Sequence, residues 1–130
     1  MANNFSAFII PTLSVSNAIG AIDFYKRAFG ARVLGGNTDP DGATVAELSI
    51  EGARIVVADA SPAHGNFTPE ALGGISVRIG LMVADPDTFA ARAVAEGIET
   101  VYPVADQPYG YRLGHFIDPH GHHWEIGRPL

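Results

Sequence analysis

The chain contains no cysteine, so disulfides, thiolate metal ligands and a cysteine nucleophile are excluded from the start. Any metal would have to be held by His, Asp or Glu. Basic residues are scarce: eight Lys and Arg stand against fourteen Asp and Glu, for a formal net charge of -6. Without a basic face there is nothing to neutralise a phosphate backbone or an anionic bilayer, which argues against nucleic-acid and membrane partners. Long apolar runs are also missing. The N-terminal stretch "MANNFSAFIIPTLSV" lacks a basic opening, and Pro11 breaks its short apolar segment, so it reads as neither a leader nor a membrane span. These absences point to a cytoplasmic protein. What is present suits one compact domain: 130 residues, 47% of them hydrophobic, are enough for a real core.

Turn and cap signals divide the chain into elements. "FIIPTLSV" reads as a strand restricted to an edge or start by Pro11. "SNAIGAIDFYKRAFG" reads as an amphipathic helix, with Ser16 and Asn17 as cap residues, Ile22, Tyr25, Ala28 and Phe29 at helical spacing, and Gly30 as its stop. "ARVLGG", "ATVAELSI" and "ARIVVADA" follow as strands, completing β-α-β-β-β over about residues 6–60. Residues 61–74 shift to Pro, Gly, Asn, His and Ala, the chemistry of a linker. The pattern then restarts over 75–128: "ISVRIGLMV", a helix capped by Asp85 with Pro86 at its first position, and three more strands. Asp85 and Asp87 are helix-start residues on this reading.

"LSVSN" aligns with "LMVAD", "FGARV" with "EGIET", and Gly52 with Gly121, at offsets of 67 to 69 residues. A repeat of this size means two copies of one supersecondary unit. One helix covers only one face of each small sheet, so the predicted fold sets the two sheets beside each other around a shared concave space.

"LSVSNAIGAIDFYKRAFGA" near the front and "YGYRLGHFIDPHGHHWEIG" at the back, with paired βαβββ units between them, make the chain resemble the vicinal oxygen chelate superfamily. This is the group of glyoxalases, bleomycin-resistance proteins and extradiol dioxygenases. "GGISVR", "YGYR" and the DPxGHxW ending resemble its PhnB-like subgroup in particular. The resemblance implies an α+β, glyoxalase-like fold in which two βαβββ repeats form a curved mixed sheet around a cavity, paired across a homodimer.

It also implies where a metal would be held. The last ligand in such proteins is a Glu seven residues after the Asp of the DPxG turn, and Glu125 stands there. Two other positions have lost their donors, since Ile10 replaces an early His and Arg78 or Gly80 stands at the strand entering the second helix; the fourth falls on Val57 or Asp59, so the site keeps two carboxylates at best. A divalent transition metal needs three or four converging donors. Glu125 alone is insufficient, so no cofactor is expected, beyond a weakly bound divalent metal at most.

His120, within Asp118-Pro119-His120-Gly121, follows the preferences of a type I turn and reads as a turn residue. In the strand after it, His122, Trp124 and Ile126 share one side while His123 and Glu125 share the other, aimed at the cavity. Strand alternation places His115 on one side together with Tyr111, Leu113 and Ile117. It also lies ten residues before Glu125, where dioxygenases of the superfamily carry a catalytic tyrosine. A His beside a carboxylate is poised near neutral pH, so His115 and Glu125 are the candidate acid and base. Phe67 in the linker, Tyr109, Tyr111, Arg112 and His123 are the candidate ligand-binding residues, with Arg112 free to hold a substrate anion or a loop carboxylate such as Asp106. His64 reads as part of the tether.

The expected activity is that of a glyoxalase-like lyase or isomerase with a degenerate metal site, acting on or binding a small oxygenated compound. The alternative is a metal-free, bleomycin-resistance-like protein that sequesters an antibiotic.

Overall fold

The computed structural model describes residues 4–130; the first three residues of the N-terminal stretch read above lie outside it. The element order is β1 (Thr12–Val15), α1 (Ala18–Phe29), β2 (Arg32–Thr38), β3 (Thr44–Ile50), β4 (Ala53–Asp59), a 3-10 turn (Pro62–His64), α2 (Pro69–Leu72), β5 (Arg78–Met82), α3 (Pro86–Ala95), β6 (Glu99–Asp106), β7 (Tyr111–Ile117) and β8 (His123–Pro129). None of the described helices is long and apolar enough to cross a membrane.

Local chemistry accounts for the helix ends. Asn17 accepts a hydrogen bond from the Gly20 amide at the start of α1, and Gly30 closes the helix at φ 64°, a left-handed conformation that glycine adopts without strain. Asp85 does the same for α3 through the Thr88 amide, with Pro86 at the first helical position. The linker expected to be irregular holds the 3-10 turn and α2, whose Thr68 cap accepts from the Ala71 amide. Prolines at the starts of both elements supply the preset φ that a sequence rich in turn residues conceals.

Strands β1-β4-β3-β2 form one four-stranded sheet and β5-β8-β7-β6 another, each with a parallel β1-β4 or β5-β8 pair and antiparallel neighbours. The expectation of one curved mixed sheet around a cavity is overturned. Hydrogen bonding stops at β1 and β5, leaving two separate sheets, and the space between the helix-bearing sides is filled by buried side chains.

The filling is aromatic. The Phe29 ring centroid lies 4.9 Å from that of Trp124 and 5.4 Å from that of Phe89, and Tyr25 lies 5.8 Å from Trp124. These contacts tie α1 of the first repeat to β8 and α3 of the second within one continuous core. Arg92 reinforces the helix pair by donating from Nε to the Arg27 carbonyl at 2.8 Å. The physical reason for the correction is apolar burial: each large buried side chain contributes about 1.5–3 kcal/mol. Facing the two helix-bearing sides toward each other buries both sets at once. The opposite sides of the sheets are left facing outward.

Asp118, which the sequence presents as a turn residue, fastens the repeats together. Only 3% exposed, it accepts from the Tyr25 hydroxyl at 2.5 Å and the Trp124 indole at 2.8 Å on Oδ2. Its Oδ1 accepts from the His120 and His122 amides at 2.8 and 3.2 Å. Burial, and then the Asp118 charge, push the Tyr25 pKa well above its ordinary value, so this phenol stays a donor. His122 Nε2 lies 2.9 Å from the Ser14 carbonyl of β1; since a carbonyl only accepts, that nitrogen carries the proton.

Candidate functional site

Strand alternation decides what the outward side of the second sheet displays. Trp124 and Ile126 of β8 and Phe116 of β7 point inward and are fully buried. Their neighbours His115, His123 and Glu125 therefore point outward. Register places His115 opposite Glu125, Gly80 beside Glu125, and Tyr102 beyond His115, forming one row across the sheet. Arg78 lies opposite His123 in the next row.

His115 Nε2 and His123 Nδ1 are 2.8 Å apart, so one ring donates and the other accepts. Burial lowers the His115 pKa, the His123 charge lowers it further, and Glu125 opposes both. His115 is therefore held in its neutral, basic form near pH 7. The Tyr102 ring stands edge-on to His115 at 5.7 Å. Burial and a hydrogen bond with Tyr109 raise the Tyr102 pKa, keeping its hydroxyl protonated. Arg78 Nε donates to Glu125 Oε1 at 3.3 Å; the carboxylate is 25% exposed and the arginine 57%. The cluster thus offers an imidazole able to take a proton, a carboxylate held by an internal cation, and phenolic donors.

The candidate residues separate into groups. His115, His123 and Glu125 come together, and Tyr109 joins them through Tyr102. Tyr111 is exposed at the start of β7, opposite Pro129. Arg112 is engaged elsewhere: its fork holds Asp87 at 2.6 and 2.9 Å and Asp106 at 3.1 Å, linking β7 to the start of α3. Phe67 lines a separate groove of about 270 Å³ with Leu72 and His122. His64 bonds Ser61 within the linker at 2.6 Å. Arg78 and Tyr102 are the site residues that sequence reasoning missed. The alternation of Arg78, Gly80 and Met82 in "RIGLM" carried the signal for Arg78; Tyr102 is placed by irregular β6-β7 register that no sequence pattern announces.

The residues do not fit the metal that the superfamily uses. Among the described residues, no three His, Asp or Glu side chains group as a metal set. Both oxygens of Asp59 are taken, by the Ala18 and Thr44 amides at 2.8 Å each, and Val57 is apolar and fully buried. Glu125 faces a guanidinium from the strand where a further donor would be needed.

Residues 9–126 match the family model of the Glyoxalase/Bleomycin resistance protein/Dioxygenase superfamily, and the chain belongs to that superfamily. The uncharacterized protein Mb0911c of Mycobacterium bovis is 40% identical over 134 aligned positions, covering 100% of this chain and 88% of the relative. Among solved structures, TioX from Micromonospora sp. ML1 is similar at 28% identity with a TM-score of 0.70, over 95% of this chain and 97% of its own. A superfamily member from Sphaerobacter thermophilus matches at 25% identity and a TM-score of 0.73, over 95% and 98%.

Proposed function

We propose that the protein acts on or binds a small oxygenated organic molecule at the outward face of β5–β8, in the manner of a glyoxalase-like lyase or isomerase without a resident metal. His115 serves as the proton acceptor and Glu125 as its carboxylate partner. The observation that carries this reading is the His115–His123–Glu125 cluster, with the Arg78 guanidinium on Glu125. A neutral imidazole beside a carboxylate can move a proton to or from carbon or oxygen. Arg78 supplies a fixed positive charge on the same face, able to steady developing negative charge on a substrate oxygen.

A second reading, sequestration of an antibiotic, is favoured by the exposed aromatic and apolar surface of Tyr109, Tyr111, Val101 and Met82, together with the net charge of -6. These rings suit stacking against a planar or cationic drug. We assign the chain to the PhnB-like subgroup on "GGISVR" and "YGYR". The working unit on this reading is a homodimer, because β1 and β5 each leave a sheet edge unpaired. Light scattering would then return twice the 13.7 kDa chain mass.

The test is a panel of oxygenated metabolites and antibiotics, screened by calorimetry for binding and by NMR for turnover, on protein treated with EDTA. The first reading expects turnover that survives EDTA and is lost in His115→Ala. Binding without turnover selects sequestration, and activity restored only by added Ni, Zn, Mn or Fe(II) overturns the metal-free mechanism.

A further inference from the structure

A second recognition surface lies away from the histidines. A cavity of about 690 Å³ opens where the segment before β1 and the β3–β4 hairpin approach β5, a volume in the range that holds small organic ligands. Its walls are apolar, including Phe8, Pro11, Ile50, Ile55, Ile79 and Leu81. Among the described residues, the charged ones lining it are Arg54 of β4 and Arg78 of β5, one from each sheet, with no carboxylate. In a chain with eight basic residues against fourteen acidic ones, the described lining of this cavity carries two arginines, while their carboxylate partners stand outside it.

Neither guanidinium is exhausted by its ion pair. Glu47 takes Nη2 of Arg54 at 3.0 Å and Glu125 takes Nε of Arg78 at 3.3 Å, whereas each fork carries five N–H donors. The Arg54 guanidinium carbon also stands 5.3 Å from the Phe8 ring centroid, which packs this side chain against the apolar wall. Planar forks of this kind are suited to a carboxylate. His115, His123 and Tyr102 do not line the cavity, so it is separate from the cluster proposed above, with Arg78 as the shared residue.

We infer that this cavity binds an amphipathic carboxylic acid, its apolar body against the isoleucine and proline walls and its carboxylate at Arg54 and Arg78. An apolar wall alone would accept an alcohol, an acid or an ammonium equally; the arginines select the acid.

Calorimetric titration of the full chain with decanoate, 1-decanol and decyltrimethylammonium tests the assignment. Decanoate is expected to bind at least tenfold more tightly than either. Arg54→Gln should weaken decanoate several-fold while leaving decanol unchanged, and Arg54→Gln/Arg78→Gln should bring the acid and the alcohol to equal affinity. Thermal midpoints of the variants near that of the parent establish that the fold survives. His115→Ala should leave decanoate binding within twofold, which separates this site from the proton-transfer cluster. Equal affinity of acid and alcohol for the parent chain would overturn the inference, as would undiminished decanoate binding in the double variant or no saturable binding below about 1 mM.

Discussion

The outward faces of the two sheets are built on the same strand pattern and carry different chemistry. Within each repeat the two central strands of the sheet hold a diagonal polar pair at matching positions: Glu47 with Arg54 in the first, His115 with His123 in the second. Directly opposite Glu47 lies Val56, whereas opposite His115 lies Glu125. The first sheet therefore closes its polar pair as an ion pair with an apolar neighbour. The second exposes imidazoles beside a carboxylate. The repeated βαβββ order accounts for the shared scaffold, and different side chains at three matching positions account for the different chemistry of the two faces.

The hairpins beneath these faces differ as well. β3 and β4 are joined by the tight Glu51–Gly52 turn, both residues at positive φ, while the β7–β8 connection is wide enough to hold the buried Asp118 hub. The largest expected effect comes from breaking this asymmetry. Asp118→Ala leaves the Tyr25 hydroxyl, the Trp124 indole and two amides without their acceptor, and should cost about 3 kcal/mol or more in urea unfolding. Loss of less than about 1 kcal/mol would show that the hub is dispensable.

A smaller effect sharpens the contrast in titration. Because the folded-state pKa of His115 lies below its ordinary 6.5, the folded protein binds fewer protons there than the unfolded chain. The associated stability is fully present above the unfolded value near 6.5 and is lost as pH falls through the folded value. The parent should therefore lose more stability between pH 7 and 5 than His115→Gln does, and in NMR titration His123→Ala should move the His115 midpoint upward. An unchanged midpoint would leave burial and the Arg78 charge as the lowering causes. The smallest effect belongs to the first sheet, where the half-exposed Arg54–Glu47 pair should give a double-mutant coupling of only about 0.2–1 kcal/mol that fades in high salt.

Much of the architecture was readable from residues alone. Asn17, Gly30, Asp85 and Pro86 marked helix ends because caps act locally, through the next three or four amides. Alternation along "HHWEIG" separated Trp124 and Ile126 from His123 and Glu125 because a strand has a period of two. The linker concealed two short helical elements, since its Pro and Gly serve equally as loop residues and as helix starts and stops. Arg112 resisted assignment for a different reason. A long arginine reaches partners on other elements, and its choice of Asp87 depends on how α3 lies against β7.

The sequence by itself determined the duplicated βαβββ units, the absence of thiol chemistry and the lost superfamily metal donors, because each is a property of residue identity or short-range period. Tertiary structure alone decided that the repeats meet through their helices and aromatic side chains, that Asp118 joins Tyr25 to Trp124, and that Arg78 meets Glu125. Those outcomes depend on which apolar faces bury each other, a balance summed over the whole chain that no local pattern contains.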